Sequence, residues 1–137
     1  ELGKIGIMIL NYFQSKILGQ RVIIMASARL TSNLWISGYR KRLEARAIPF
    51  YVVKKGDDIS GSIIVRVLDL KGSSKVFVQS YDGVGNRIWL ELAHAPDPDV
   101  EKIIKKQIDI DPDAWVLELE EANGIHLLEG TKSEEKN

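Results

Sequence analysis

The clearest pattern in the chain is an apolar run between Ser60 and Leu70, with the sequence SGSIIVRVLDL. Positions 63–68 are β-branched or aliphatic on both alternating faces, apart from Arg66. A half-exposed strand would alternate apolar with polar residues, so this run predicts a central strand covered on both faces. A cation in such a strand must reach the rim of the sheet or pair with a carboxylate, for which Glu118 is a candidate.

Two segments have the spacing of amphipathic helices that could cover the two faces of this strand. The first runs from Leu30 to Ala47 and ends before Ile48-Pro49, because a residue preceding proline disfavours helical dihedrals. Arg42 and Arg46 fall inside its apolar arc, where their stems can cover apolar surface or their guanidinium groups can bind an anion. The arc itself comprises Leu34, Trp35, Tyr39 and Leu43.

The second helical segment begins at Asp97, which suits an N-cap, with Pro98 at the first helical position. It ends at Asp111-Pro112, and its apolar stripe recurs at helical spacing. The stripe comprises Val100, Ile103, Ile104 and Ile108.

The remaining apolar runs predict strands separated by turns. A meander of four antiparallel strands is expected first, and a later strand is expected to turn back through a type I′ turn at Asn123-Gly124. The predicted strands are Phe50–Val53, Ser60–Leu70, Lys75–Ser80, Arg87–Leu92, Trp115–Glu121 and Ile125–Leu128. The pattern therefore predicts a single α+β domain over residues 25–128, with the order α-β-β-β-β-α-β-β and a helix on each face of a mainly antiparallel sheet.

The segments outside this domain differ in character from it. Residues 1–24 contain a charge-free run of 11 residues, Ile5–Ser15, which is shorter than the roughly 20 residues that span a bilayer. Their apolar positions follow helical spacing, so they could form an extra helix. We interpret Met25 as the natural start and residues 1–24 as an N-terminal extension, and we expect residues 129–137 to form a charged, flexible tail.

Composition narrows the chemistry that is available to the protein. The chain has no cysteine, which excludes disulfides, thiolate metal sites and a cysteine nucleophile and is consistent with a cytoplasmic protein. The net charge is zero, but residues 29–55 carry seven bases against one acid, whereas residues 91–137 carry thirteen acids against five bases. Such a dipolar chain can pair its two halves in the fold.

The sequence contains no recognisable catalytic or metal-binding motif. His94 and His126 are far apart in sequence, and the alternating Asp109, Asp111 and Asp113 are interrupted by a proline and lack the glycine and glutamate of a calcium loop. Ser62 begins a strand instead of occupying a nucleophile elbow. We therefore expect no cofactor, and an enzyme without a recognisable motif remains only as an alternative.

Two binding functions remain open. We favour a non-catalytic interaction module whose aromatic and arginine side chains bind a small anionic ligand or a protein partner. The alternative is RNA binding through the basic first helix, against which zero net charge counts. The first hypothesis uses Trp35, Tyr39, Arg42, Arg46 and Arg66, and the second uses Arg40, Lys41, Lys54 and Lys55.

Several blocks of the sequence, in collinear order from Met25 to Leu128, resemble one known family. They are RLTSNLWISGYRKR at 29–42, FYVVKKG at 50–56, GSIIVRV at 61–67, Trp89, and DPDAWVLELEEANG at 111–124. Together they resemble the DUF1491 family of small alphaproteobacterial proteins, from which Ala114 and Arg40 depart. The resemblance implies the fold and a bacterial cytosolic setting. It implies no reaction, because the family's function is unknown.

Overall fold

The computed structural model describes residues 30–133. Residues 32–133 belong to one compact unit. The helices are α1 (Ser32–Ala45) and α2 (Asp97–Ile110), and the strands are β1 (Phe50–Lys54), β2 (Ile63–Leu68), β3 (Ser73–Tyr81), β4 (Arg87–Pro96), β5 (Trp115–Glu120) and β6 (Thr131–Ser133). No helix within residues 30–133 is long and apolar enough to cross a membrane.

Within these residues the strands form one mixed sheet in the order β1-β5-β2-β3-β4-β6. The predicted meander is correct for β2, β3 and β4, which pair antiparallel. It is wrong for β1, which pairs with β5, while β5 lies between β1 and β2 and runs parallel to β2. A local sequence pattern shows that a segment is a strand but not which strand it pairs with. In the sheet β5 has a neighbour on each side and is mostly buried, whereas β1 lies at the edge and is largely exposed.

The two helices cover opposite faces of the sheet, as predicted. Alternate residues of β2 determine which helix they meet, since successive side chains of a strand point to opposite faces. Ile63, Val65 and Val67 pack in a core with α1, and Ile64 packs in a second core with α2. The result is a helix–sheet–helix sandwich of the α+β class, with β2 and β5 at its centre.

The predicted return strand at Ile125–Leu128 is absent. The turn closes instead when the Gly124 N–H donates to the Glu121 carbonyl, 3.2 Å away, and Gly124 takes a positive φ of 76° at the last position of the turn. The next strand, β6, comes later and pairs in parallel with β4. Ordered structure thus extends into the predicted tail, while the expectations for residues 1–24 lie outside the described residues.

Candidate functional site

An aromatic stack lies beneath the exposed face of α1. The Trp35 ring centroid is 4.7 Å from that of Tyr39 and 5.0 Å from that of Trp89. Trp35 is half-buried, whereas Tyr39 is fully buried and its hydroxyl donates a hydrogen bond of 2.6 Å to the His126 carbonyl. Burial raises the pKa of Tyr39 far above its ordinary value, against a smaller opposing effect of Arg42. Tyr39 therefore supports this surface from below, and Trp35 is the ring that a partner can reach.

Two arginines flank the stack. The Arg42 guanidinium lies 5.6 Å from the centre of the Tyr39 ring, and that of Arg87 lies 5.6 Å from the centre of the Trp35 ring. Arg87 was not among the predicted site residues, although it precedes Trp89 by two positions and strand alternation puts both on one face. We call Trp35, Arg42 and Arg87 the aromatic–arginine surface.

Arg42 already contacts a carboxylate at this surface. Its Nη1 lies 3.5 Å from Glu129 Oε1 and donates to the Leu127 carbonyl at 3.4 Å. The Arg42 side chain is 43% exposed and that of Glu129 is 91% exposed. A pair this exposed is weakly held, because water screens both charges.

The other predicted basic residues do not form one surface. The Arg40 guanidinium lies over Phe50, 5.0 Å from the ring centre, and Lys41 and Arg46 are exposed. Lys54 lies at the end of β1, where its Nζ donates to the Pro112 and Ala114 carbonyls at 2.6 and 2.8 Å. The nearby Lys55 pairs with Asp58 at 3.7 Å. The residues proposed for RNA binding are therefore divided between α1 and the end of β1.

Arg66 lies on the other face of the sheet, away from the aromatic–arginine surface. Its side chain is 3% exposed, and the prediction that it pairs with Glu118 is confirmed by a separation of 3.4 Å. Nη1 also pairs with Glu101, and Nη2 lies 3.3 Å from the Asp97 carboxylate. Nε donates to Ser74 Oγ at 3.1 Å. This guanidinium is thus enclosed by three carboxylates and a hydroxyl.

The Arg66 cluster also corrects the predicted start of the second helix. Pro96, and not Asp97, occupies the N-cap, and no side chain caps the helix there. The Asp97 carboxylate instead accepts a hydrogen bond from Ser74 and pairs with Arg66. The Asp97 carboxylate contacts the buried Arg66 guanidinium and does not cap the helix, because a charge-assisted hydrogen bond is stronger than a neutral one to a backbone N–H.

The cluster shifts the pKa of two of its members. Burial lowers the pKa of Arg66, but the surrounding carboxylates, Glu101 foremost, outweigh it and raise that pKa overall. Burial raises the pKa of Glu118, and the charge of Glu101 adds to this, while Arg66 acts in the opposite direction. Burial therefore outweighs the guanidinium at Glu118, and the pKa of this carboxyl stays above its ordinary value.

The loop segments around Gly56 and Asp111 are occupied by structural contacts. Asp111 accepts hydrogen bonds from Ser62 Oγ and from the Asp113 N–H, the latter at 3.2 Å. The Trp115 indole N–H donates to the Asp57 carbonyl at 2.7 Å. Across residues 30–133, no group of three histidine or carboxylate side chains is arranged to hold a metal ion.

The structure is a small three-layer α+β domain, and comparison with known proteins shows the family to which it belongs. Residues 30–129 match the family described as "Protein of unknown function (DUF1491)". The chain belongs to the DUF1491 family. No curated protein matches the sequence.

Several solved structures are similar to the chain over most of its length. A crystal structure of a DUF1491 family protein from Caulobacter crescentus CB15 has a TM-score of 0.70 and 28% identity, and the match covers 76% of this chain and 100% of that one. An NMR structure of a DUF1491 family protein from the same organism has a TM-score of 0.67 and 29% identity, with coverage of 76% and 97%. A solution structure of a protein from A. tumefaciens, at 22% identity and a TM-score of 0.65, covers 74% of this chain and 94% of that one and shows the shared fold alone.

Proposed function

We propose that the domain is a non-catalytic interaction module whose aromatic–arginine surface binds a carboxylate-bearing segment of a protein partner. One observation carries the proposal: Glu129 reaches Arg42 beside the aromatic stack while its own side chain stays 91% exposed. A carboxylate from another protein can take the same position, because so exposed a pair costs little to separate.

The neighbouring residues supply the other requirements of a recognition surface. Trp35 is a large, half-buried ring held in place by two aromatic neighbours, so it gives contact area without a large loss of side-chain entropy on binding. Arg87 makes no ion pair with any other described residue, and its planar guanidinium suits a bidentate contact with a carboxylate.

Binding can be measured by fluorescence anisotropy with a labelled, glutamate-rich peptide, alongside a labelled single-stranded RNA of equal length. The double variant Arg42→Gln/Arg87→Gln should weaken peptide binding about tenfold or more, since two charged contacts are lost. Arg46→Gln is the matched control, because this exposed arginine lies just beyond the end of α1, and it should bind the peptide like the wild type.

Two results would refute the proposal. One is an equal loss of binding in the Arg46→Gln control, which would indicate attraction to net positive charge only. The other is tight binding of the RNA without binding of the peptide at about 0.15 M salt, where non-specific electrostatic attraction is already screened. Elution from heparin near that ionic strength would argue against RNA binding.

A further inference from the structure

Residues 126–129 form a short segment between β5 and β6, which we call the 126–129 segment. Its first two carbonyl groups are bound to α1: one accepts the Tyr39 hydroxyl at 2.6 Å, and the next accepts Arg42 Nη1 at 3.4 Å. The last residue of the segment, Glu129, places its carboxylate 3.5 Å from the same Nη1. The segment therefore supplies an internal carboxylate to the aromatic–arginine surface.

One hydrogen bond within this segment depends on protonation. The Leu128 N–H donates to His126 Nδ1 at 3.0 Å, which requires that nitrogen to be unprotonated. An imidazolium carries a proton on both ring nitrogens, so Nδ1 would then face the Leu128 N–H as a second donor. The ring is half-buried, and its centre lies 4.5 Å from that of the Phe77 ring. A charged ring is therefore disfavoured in this position and should turn toward water, which disrupts the segment.

Charged and titratable groups on three elements act on His126. Lys75 on β3 and Glu91 on β4 act in opposite directions, and their side chains pair with each other at 3.4 Å. On α1, Arg42 lies beside the neighbouring carbonyl, and Tyr39 is neutral because burial raises its pKa. Burial, reinforced by Lys75, lowers the pKa of His126. Protonation should therefore begin below the ordinary histidine pKa of about 6.5.

We propose that the 126–129 segment is a pH-sensitive internal competitor for the aromatic–arginine surface. At neutral pH it holds Glu129 against Arg42, and protonation of His126 releases Glu129, so that a carboxylate of the protein partner takes its place. This inference rests on the function proposed above. Because both members of the internal pair are exposed, the gain in affinity for the partner should be modest, about three- to fivefold.

The test is the anisotropy titration of the labelled, glutamate-rich peptide at about pH 7.5 and about pH 5.5, where glutamate, with an ordinary pKa of about 4.3, stays ionised. The wild type should bind the peptide about three- to fivefold more tightly at the lower pH. Glu129→Gln removes the competitor at an exposed position, so this variant should bind tightly at both pH values. His94→Asn is the matched control, since this exposed histidine lies on β4, and it should keep the pH dependence of the wild type.

A variant at His126 tests the sensor directly. His126→Phe keeps an aromatic ring beside Phe77 but has no acceptor for the Leu128 N–H. At neutral pH it should therefore bind the peptide as tightly as the wild type does at acidic pH, and its affinity should not change with pH. If this variant fails to fold, Glu129→Gln decides alone, because its substitution is exposed.

Attraction of the peptide to the imidazolium itself would also favour binding at low pH, and Glu129→Gln separates the two explanations. Full pH dependence in this variant would indicate direct attraction and overturn the competitor. Equal affinity of the wild type at both pH values would overturn it as well, while leaving the proposed function intact. Absence of peptide binding to both proteins at both pH values would instead refute the proposed function, and the competitor with it.

Discussion

Replacing Arg66 with methionine should destabilise the fold through charge and not through packing. Methionine keeps much of the apolar stem of the arginine but removes the guanidinium. The three carboxylates then face one another without their shared cation, and Ser74 loses its donor at 3.1 Å. Exposure differs among the carboxylates: the side chains of Glu118, Asp97 and Glu101 are 24%, 35% and 67% exposed.

These exposures set the expected size of the effect. Removing one partner of a buried ion pair costs about 3–5 kcal/mol, because a buried charge is left without compensation. Glu101 can turn to water, and Asp97 partly so, which leaves Glu118 as the main uncompensated charge. We therefore expect the lower end, about 3 kcal/mol, which corresponds to a melting temperature lower by about 12 °C or more for a domain of this size.

Thermal and urea melts at about pH 7 and about pH 4 separate charge from packing. Acidification protonates Glu118 early, because its pKa is raised, so the deficit of Arg66→Met should shrink at the lower pH. Adding Glu118→Gln to Arg66→Met should restore part of the stability at neutral pH. Arg46→Met, at an exposed position, is the control and should stay within about 0.5 kcal/mol of the wild type. A variant as stable as the wild type at pH 7, or a deficit that is the same at both pH values, would contradict the reasoning.

Three further changes test other parts of the fold. Arg42→Ala should cost less than about 1 kcal/mol in urea melts, since its ion pair is exposed, and a larger loss would mean that this arginine is structural. Burial lowers the pKa of His126, and its neutral Nδ1 accepts the N–H two residues on at 3.0 Å. The stability that neutral His126 contributes is therefore present above the ordinary histidine pKa of about 6.5. It is lost as the pH falls through the lowered pKa that His126 has in the folded protein. His126→Phe should flatten melting temperature against pH in this range, whereas the exposed His94→Asn should not. Gly56→Ala should destabilise by about 1–3 kcal/mol through overpacking, because its Cβ would lie 2.2 Å from the Asp113 carbonyl oxygen, and an unchanged urea midpoint would show that the loop can yield.

Local features of this fold can be predicted from the sequence, whereas the pairing of its strands cannot. The central strand β2, the two covering helices and the Arg66–Glu118 pair could be predicted, because burial on both faces and helical periodicity are visible in one segment at a time. The position of β5 could not, since a local pattern shows that a strand is buried but not which strand it pairs with. Asp57 begins a turn, in which the Gly61 N–H donates to its carbonyl at 3.2 Å, but no local pattern indicates that its own N–H donates to the Asp113 carbonyl, 2.9 Å away.

Helical periodicity alone also did not show which face of α1 is buried. Leu34 was expected on the buried arc but is 58% exposed, and the buried positions are Ser32, Ile36, Tyr39 and Leu43. Arg46 was placed on the same arc, yet the helix ends at Ala45, so a helical angle has no meaning for it. Hydrophobicity ranks leucine above serine, but the Ser32 hydroxyl is buried because it donates to the Gly61 carbonyl.

The charge asymmetry of the sequence is not resolved by ion pairs between its two halves. If its halves simply paired in the fold, residues 29–55 and 91–137 would share many ion pairs. Among the described residues only Arg42–Glu129 joins them, while the acids Asp97, Glu101 and Glu118 gather around Arg66, which belongs to neither half.

The sheet separates the aromatic–arginine surface with α1 from the Arg66 cluster beside α2. Because the sheet lies between them, changes at the two places should act independently. Glu118→Gln should therefore still bind the acidic peptide like the wild type. Loss of peptide binding in this variant, measured by the same anisotropy assay, would mean that the two faces are coupled through the sheet.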